Sequence, residues 1–283
     1  MRDRATLLVQ GPDRPGLVST VATIVGRLGG NIVALDQYTD DPDGGGFFQR
    51  LVFDLPQLTA ALPDLRAALA EELDPLGLSW RLRDLTVPLR MGILASLSDH
   101  CVLDLLWRHR RGELPVTVPM VVANHADIAE DVRGFGVPFF HVPSHGPDKT
   151  AAEHTMLRLL AGNVDFVVLA RYMQILSADF LDELGVPVIN IHHSFLPAFI
   201  GAAPYRKAKE RGVKLIGATA HYVTPELDEG PIIEQDVVRV THAESTGDLQ
   251  RRGADVERAV LSRAVLWHAQ DRVVRHGNQT IVF

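Results

Sequence analysis

An amide, an imidazole and a carboxylate occur in this sequence in a pattern that could support carbonyl chemistry: Asn190, His192 and, further along the chain, Asp228. The short apolar run at 186–189 is typical of a buried parallel strand, so the sequence predicts Asn190 and His192 where that strand gives way to a loop. Open α/β sheets bind ligands at such strand ends. An Asn can donate to a developing oxyanion, a His can transfer a proton near neutral pH, and a carboxylate can orient the His or polarise a water. The three together suit attack on a carbonyl carbon.

The spacing of Asn190 and His192 also fits a structural role, because an Asn-x-His pair at a strand end commonly caps a turn or bonds a loop. The surrounding sequence favours the catalytic role. Four segments resemble, in order and spacing, the 10-formyltetrahydrofolate-dependent formyltransferase family: ARYMQILS at 170–177, NIHHSFLP at 190–197, GATAHYV at 217–223 and DEGPII at 228–233. By this resemblance Asn190, His192 and Asp228 match the catalytic residues of the family.

The resemblance implies a substrate, 10-formyltetrahydrofolate, and a chemistry. Its formyl group is an amide-like carbonyl, so a nucleophile that adds to it creates a tetrahedral oxyanion. Asn190 and protonated His192 would stabilise that charge, with up to about 3 kcal/mol from a single well-aimed donor. Asp228 would keep His192 charged and accept a proton from an attacking water.

Position 193 carries a second His, where transferases of this family commonly have Pro. His193, the segment 198–202 and an N-terminal unit described below resemble the deformylase branch of the family, which transfers the formyl group to water. The resemblance therefore implies formate and tetrahydrofolate as products, an activity that balances the one-carbon folate pool and supplies formate for purine synthesis. His193 could instead be a loop histidine bonded to a backbone carbonyl.

The segment 94–101 bears on the alternative that an amine accepts the formyl group. Transferases to glycinamide ribonucleotide begin this domain with a Gly-rich loop whose backbone N–H groups bind the substrate phosphate. Segment 94–101 has no glycine, and Asp99 would repel a phosphate dianion, so the sequence disfavours such an acceptor. A further hypothesis is a binding protein that senses an amino acid through its N-terminal unit and has an inert catalytic domain. The presence of Asn190, His192 and Asp228 argues against it.

The resemblance also indicates where the pterin ring of the folate would bind. The predicted substrate contacts are Met173, Gln174, Ile175, Leu176, His193 and Thr224. Backbone groups there would bind the hydrogen-bonding edge of the ring, and apolar side chains would pack on its faces. Met173, Ile175 and Leu176 could instead be ordinary core residues, and Gln174 stands where related transferases often have Arg.

We expect no cofactor beyond the folate substrate. The 12 His residues have no Cys or Glu partners at zinc-ligand spacing, so no metal is predicted. The sequence has neither a G-x-S-x-G nor a G-x-G-x-x-G motif, which argues against a serine hydrolase and a dinucleotide-dependent enzyme. Among the other histidines, His125 is the candidate expected to lie nearest the site.

Residues 1–85 follow the order β-α-β-β-α-β, which is that of a ferredoxin-like sandwich. The turn DRPGL at 13–17 and the following Gly30-Asn31 resemble the ACT family of small regulatory domains. Such domains usually pair side by side and bind a small amino acid where the first loop meets a neighbour's strand. The predicted effector residues are Asp13, Arg14, Pro15, Gly16, Gly30 and Asn31, with glycine or methionine as the candidate effector. A pure assembly role, without a ligand, is equally open.

From residue 86 to residue 283, strands and helices alternate, which predicts an α/β domain with a mostly parallel sheet covered by helices on both faces. The resemblance assigns this domain to the formyltransferase type. Strands are predicted at 89–95, 116–123, 137–142, 166–170, 187–191, 215–223 and 231–238, and helices at 102–110, 149–161 and 177–184. Ser177 is a plausible N-cap. The end, from Ala243 to Phe283, is predicted to be one long Arg-rich helix with a short tail.

Composition narrows the possible partners. The chain has 283 residues, a hydrophobic fraction of 46% and a net charge of −7, so it has no electrostatic footprint for nucleic acid. A single cysteine, Cys101, cannot form an internal disulfide, and no apolar run approaches the length of a membrane span. We therefore expect a cytoplasmic protein that binds neither nucleic acid nor membrane, and the resemblance implies a homo-oligomer, a dimer or tetramer, that binds a small-molecule folate.

Overall fold

The computed structural model describes residues 3–144, 149–197 and 204–283. The chain divides into two compact units. The first runs to Pro88 and also includes Asp271–Val274 and Ile281–Phe283, and the second comprises Leu89–Gln270 and Arg275–Thr280. The sequence predicts that the whole C-terminal segment, to residue 283, belongs to the second domain. Two short pieces of it instead join the first unit, because Val274 forms a small apolar cluster with Leu8 and Phe48.

The first unit has the ferredoxin-like order that the sequence predicts. Its elements are β1 (Arg4–Pro12), α1 (Leu17–Arg27), β2 (Asn31–Thr39), β3 (Gly46–Asp54), α2 (Leu58–Leu73) and β4 (Ser79–Asp84). The strands form an antiparallel sheet in the order β2-β3-β1-β4. Leu17, Val21 and Ile24 recur at helical spacing and are buried together with apolar residues of the sheet and of α2.

The second unit contains a seven-stranded sheet in the order β11-β10-β9-β8-β5-β6-β7. Its elements are β5 (Leu89–Ala95), α3 (His100–Arg110), β6 (Val116–Ala123), α4 (Ala129–Gly134), β7 (Phe139–His141), α5 (Lys149–Leu160), β8 (Phe166–Ala170), α6 (Ala178–Leu184), β9 (Val188–His192), α7 (Pro204–Arg211), β10 (Leu215–Tyr222), β11 (Ile232–Arg239) and α8 (Thr246–Ala269). Strands β9, β8, β5, β6 and β7 are parallel, whereas β10 and β11 are antiparallel to their neighbours. The predicted fold class is confirmed.

Helix caps determine where two helices of this unit begin. The Ser177 side chain accepts a hydrogen bond from the Phe180 backbone N–H and so caps α6, as the sequence predicts. Ser245 and Asp248 form a reciprocal capping box at the start of α8. Within the described residues, no helix has both the length and the apolar character needed to cross a membrane.

The predicted long C-terminal helix is wrong in its length. Helix α8 ends at Ala269, and two short strands follow, β12 (Val273–His276) and β13 (Gln279–Val282), which pair as a hairpin. Gly277, with a φ of 57°, lies in the two-residue turn between them. A Gly-Asn pair between short β-branched runs is a hairpin signal, and it outweighs the helical tendency of the Arg-rich sequence before it.

Candidate active site

Asn190 and His192 project from the same face of β9, because residues two apart on a strand point to the same side. The parallel pairing of β9 with β8 ends at Asn190, but its antiparallel pairing with β10 continues to His192, which lies opposite Thr219. Both residues therefore lie in β9, and His192 is its last residue, one position beyond the strand end that the sequence predicts at residue 191. The same register places His221 opposite Asn190.

His192 and Asp228 form the central contact of the site. The Nδ1 atom of His192 lies 3.3 Å from Oδ1 of Asp228. The hydrogen bond from His192 lowers the pKa of Asp228 in spite of the burial that opposes it, so Asp228 is a carboxylate at neutral pH. The Nε2 atom of His192 is buried and has no hydrogen-bond partner among the described residues. One edge of the imidazole is thus fixed by a negative charge, and the other has a hydrogen-bonding position that no described residue uses.

His221 fixes the orientation of Asn190. Its Nδ1 lies 2.9 Å from the backbone oxygen of Tyr222, and because a carbonyl can only accept, Nδ1 carries the proton. Burial lowers the pKa of His221 despite the nearby Asp228, so its Nε2 is an unprotonated acceptor. That atom lies 3.2 Å from Nδ2 of Asn190. The Asn190 amide is therefore oriented with its second N–H proton available to an oxyanion.

His221 is a residue of the candidate site that was not predicted from the sequence. It lies inside the segment 217–223, which contributes to the family resemblance, but its type and spacing alone gave it no role. Only the register between β9 and β10 places it beside Asn190.

His193 stacks on the His192 imidazole. The ring centroids of His193 and His192 are 5.1 Å apart and their planes differ by 23°. Burial, the positive charge of Arg171 and the neighbouring His192 lower the pKa of His193 to about 4. It is therefore a neutral imidazole at physiological pH, with one N–H donor and one acceptor nitrogen.

A buried ionic cluster lies beyond His193. Glu257 of α8 is 1% exposed, and its Oε1 accepts a hydrogen bond of 2.6 Å from the Tyr205 hydroxyl. Its Oε2 lies 2.8 Å from Nε2 of His100 and 3.5 Å from Nε of Arg171. Burial acts to raise the pKa of Glu257, but these partners outweigh it, so the net shift is downward and the group is a carboxylate. The Tyr205 ring lies 6.3 Å from that of His193, which connects the cluster to the site.

Among the described residues, this cluster contains the set of side chains that comes nearest to a metal site. Ligand atoms of His100, Cys101 and Glu257 lie within 4.8 Å of one another. The donors do not fit this role, because both Glu257 oxygens already have partners and the Arg171 cation lies beside them. Burial also raises the pKa of the Cys101 thiol, which disfavours the thiolate that a metal would need.

The predicted pterin contacts have different environments. Met173 and Ile175 are exposed, at 60% and 57%, in the loop that follows β8. Leu176 is buried in the apolar core with Tyr172 and residues of α5 and α6, which favours a packing role for it. Gln174, Ile175 and Leu176 also line a cavity with an empty volume of about 210 Å³. Thr224 is half-buried, and its hydroxyl donates to the backbone oxygen of Glu226.

Two other predictions concern His125 and the segment 198–202. His125 follows β6, which is three strand positions from β9 in the sheet, or about 14 Å. The structure therefore does not bring it to the His192 cluster. The segment 198–202, which contributes to the resemblance to deformylases, lies outside the described residues.

The candidate effector residues lie at opposite ends of the first unit's sheet. Pro12, just before the Asp13–Gly16 turn, pairs with Gly46 of β3, whereas Asn31 pairs with Asp54. The eight intervening positions correspond to about 27 Å along a strand. Within one chain, Asp13–Gly16 and Gly30-Asn31 therefore do not form one site.

Local contacts explain several of these residues without a ligand. Gly16 has a φ of 94° at the start of α1, a conformation that favours glycine. A Cβ on Gly30 would lie 2.6 Å from Cγ1 of Val25, so close packing requires glycine there. The Arg14 guanidinium donates to the backbone oxygen of Leu76.

The lowered pKa of His193 predicts a pH dependence of stability. The unfolded chain, where this His titrates near 6.5, binds a proton between pH 6.5 and 4 that the folded chain does not bind. The contribution of neutral His193 to the free energy of unfolding is therefore complete above pH 6.5 and is lost as the pH falls towards 4. At pH 5 the free energy of unfolding is lower by about 2 kcal/mol for this reason. Urea unfolding at pH 7.5 and pH 5 should show a larger loss for the wild type than for His193→Asn. Equal losses in the two proteins would contradict the neutral, buried state of His193.

Comparisons with known proteins agree with this geometry. Residues 89–265 match the formyl transferase family, and residues 5–70 match the ACT domain. The chain is 61% identical over 282 residues to the formyltetrahydrofolate deformylase of Mycobacterium tuberculosis H37Rv, covering 99% of this chain and 91% of the relative. It is similar to the crystal structure of a formyltetrahydrofolate deformylase from Pseudomonas syringae pv. tomato, with a TM-score of 0.94, 42% identity, and coverage of 100% and 95%. Glycinamide ribonucleotide transformylase 1 of Symbiobacterium toebii also matches, with a TM-score of 0.65, 35% identity, and coverage of 69% of this chain and 94% of that one.

Proposed function

The chain belongs to the formyl transferase family and, within it, to the formyltetrahydrofolate deformylases, and we propose that it hydrolyses 10-formyltetrahydrofolate to formate and tetrahydrofolate. The observation that carries the proposal is the His192 imidazole, which is fixed by Asp228 on one edge and has on the other a hydrogen-bonding position that no described residue uses, beside an oriented Asn190 amide. Such a set of groups can bind a carbonyl oxygen and transfer a proton.

The reaction proceeds through a tetrahedral intermediate. The water oxygen forms a bond to the formyl carbon, the carbonyl π electrons move to the oxygen, and one water proton passes to Asp228. The intermediate then re-forms its C=O bond and expels the folate nitrogen, which takes the C–N electron pair and a proton from His192. Formic acid loses its proton to solvent, so the products are formate and tetrahydrofolate.

The three residues have separate roles in this proposal. Asn190 and His192 donate hydrogen bonds to the oxyanion, from a half-buried and a buried position, where such bonds are stronger than in water. Asp228 orients the His192 imidazole through Nδ1 and accepts the water proton. A direct test is to incubate the purified chain with 10-formyltetrahydrofolate and measure formate. No formate above the uncatalysed rate, from protein shown to be folded, would overturn the proposal.

Transfer to an amine is the alternative that the site favours less. At the start of α3, where a transferase would bind a ribonucleotide phosphate, this chain has an exposed Asp99 and no glycine between Leu94 and Cys101. His100 and Glu257 occupy the space behind it. An inert amino-acid-binding protein is not favoured either, because the Asn190, His192 and Asp228 constellation is complete.

The pterin ring has a candidate binding surface beside β9. Met173 and Ile175 follow β8, and Leu227 precedes Asp228, and all three present exposed apolar side chains. Apolar groups left in water at the rim of a polar site are suited to pack on the faces of an aromatic ring. Thr224 lies in the same loop as Leu227, where backbone groups can bind the ring's polar edge.

The ACT domain supports a regulatory role that requires a second copy of the chain. Because Asp13–Gly16 and Gly30-Asn31 are about 27 Å apart in one chain, a joint amino-acid site needs the turn of one copy beside β2 of another. Strand β2 is at the sheet edge and exposes Val33, Leu35 and Tyr38, at 43%, 41% and 48%. An apolar edge strand of this kind is suited to pairing.

Substitution at the two separated places tests the shared site. Asp13→Ala and Asn31→Ala should each weaken binding of glycine or methionine about tenfold, which corresponds to about 1.4 kcal/mol. Calorimetry measures the affinity, and sedimentation measures the oligomer. A control is Asp43→Ala, in the exposed loop between β2 and β3. If neither amino acid binds and the wild type is monomeric, this role is wrong.

A further inference from the structure

Arg171 is a cation with unused hydrogen-bonding capacity beside the active site. Its side chain is only 14% exposed, yet its Nε and Nη1 atoms are buried and have no hydrogen-bond partner among the described residues. Its charge is balanced by Glu257 at 3.5 Å, but that carboxylate takes its hydrogen bonds from Tyr205 and His100. A buried N–H group without an acceptor costs about 1–3 kcal/mol, so an acceptor is expected there.

Arg171 is also held in a costly conformation next to the reaction centre. Its φ is 61°, in the left-handed region, at a cost of about 1–3 kcal/mol for a residue with a side chain. The parallel register pairs Leu169 of β8 with Asn190 of β9, so two residues further along each chain are Arg171 and His192. The fold therefore maintains a strained cation just beyond the end of the strand beside β9, and its charge acts on His193.

His193 supplies the complementary group. It lies next to His192 in the chain, its ring stacks on that imidazole, and the charges that face it come from Arg171, His192, Glu257 and Asp228. As a neutral imidazole it offers an acceptor nitrogen, which the Arg171 guanidinium cannot offer. Donor and acceptor groups on the same side of the site can share one small polar molecule.

We propose that Arg171 and His193 together bind the water molecule that attacks the formyl carbon. Arg171 donates an N–H to the water oxygen, and His193 accepts one of the water protons. The second proton points to Asp228, and the remaining lone pair faces the formyl carbon. All four bonding directions of the water are then used, in agreement with the two to four partners that ordered buried waters have. The inference rests on the proposed hydrolysis and names the site of its second substrate.

The proposed water site would allow the formyl group to be hydrolysed without a second bound substrate that accepts it. Water forms the new bond to the formyl carbon with its lone pair, loses one proton to Asp228 and retains the hydrogen bond from Arg171 until the C–N bond breaks. His193 orients the water without taking its proton, because the proton it contacts stays with the oxygen. His193, which is proposed to hold the water, is thus also the residue that this chain has in place of the Pro of related transferases.

Two conservative substitutions test the water site in the full-length protein. His193→Phe keeps a ring to stack on His192 but removes the acceptor, and Arg171→Lys keeps the charge against Glu257 but removes the guanidinium donors. Formate release should fall about 100-fold in His193→Phe and about tenfold in Arg171→Lys, with KM for 10-formyltetrahydrofolate within about threefold of the wild type. Because the two residues hold one water, the double variant should be no slower than about 100-fold.

The readout that separates water binding from a structural role is capture by hydroxylamine. Its nitrogen attacks the formyl carbon in place of water and loses one N–H proton to Asp228. The folate nitrogen takes the C–N electron pair and a proton from His192, so that formohydroxamate and tetrahydrofolate form. In both variants, capture should stay within about threefold of the wild type, so that the ratio of formohydroxamate to formate rises. His242→Phe and Arg111→Lys, at exposed positions, are the matched controls and should leave the ratio unchanged.

Each other outcome has a definite meaning. If formate release and capture fall together, these residues act through His192 or through folding, and the water site is wrong. If neither falls in the folded variants, it is also wrong. Release of formate by the wild type keeps the proposed hydrolysis intact in both cases, whereas a wild type that releases none overturns the hydrolysis and the water site with it.

Discussion

Replacing Asp228 with Asn is expected to lower formate release by about a thousandfold while 10-formyltetrahydrofolate binding stays within a few-fold. The substitution keeps the size and shape of the side chain. It removes the charged carboxylate that lies 3.3 Å from Nδ1 of His192. The same carboxylate is the group proposed to accept the water proton. Both losses affect the transition state more than the bound substrate, so kcat should carry the effect. Single-turnover formate release and the KM of the variant measure the two quantities.

His192→Ala should fail in the same way, and the double variant should be little worse than either single one, because the two residues act as a unit. Glu229→Gln, at the exposed neighbouring position, is the matched control and should retain wild-type turnover. Near-normal turnover in folded Asp228→Asn would refute the proposed role. Additive losses in the double variant would mean that the two residues act independently.

The central part of the site could be predicted because it is local in sequence. Asn190 and His192 share one strand, and alternation along a strand puts both on one face whatever the strand pairs with. Ser177 caps its helix through contacts within three residues. The error at β9 concerned only where the strand ends, and that depends on β10, whose antiparallel pairing carries the strand two residues beyond its contact with β8.

The outer part could not be predicted, because its contacts are distant in sequence. Glu257 lies in an Arg-rich helix that suggests a solvated face, yet it is buried by Tyr205, 52 residues away, and by His100, 157 residues away. Residue type and spacing carry no signal for such pairs. Arg171 is inside a recognisable motif, but its ion pair with Glu257 of α8 joins two parts of the chain that are distant in sequence.

These outer residues give the site a second layer that is suited to water. The first layer, Asn190, His192 and Asp228, can activate a formyl group for any nucleophile. The second layer places a buried Arg171–Glu257 pair and a neutral His193 next to the first layer. A buried ion pair is stable only while both of its partners remain. An incoming amine with a ribose phosphate would have to displace these groups and leave charges unpaired.

Glycinamide ribonucleotide is accordingly expected to have no effect on the reaction. Formate should appear at the same rate with or without it, and a carbon label in the formyl group should reach the amine at less than about 1% of the rate of formate release. The physical reason is that an amine must be held to compete with water. The start of α3 offers a carboxylate, Asp99, in place of glycine-backed N–H groups, with His100 and Glu257 behind it.

His193→Pro provides the sharper form of this experiment, because Pro is the residue that related transferases commonly have at this position. The substitution should slow hydrolysis, since His193 is proposed to hold the water, but it should not create transfer. The Arg171–Glu257 pair and Asp99 remain in this variant, so no phosphate site appears. Transfer of label to the amine at a rate comparable to formate release, in either protein, would mean that the acceptor is set by position 193 or by the first layer alone. If His193→Pro hydrolyses more slowly but still transfers no label to the amine, the choice of acceptor depends instead on the buried residues around Glu257.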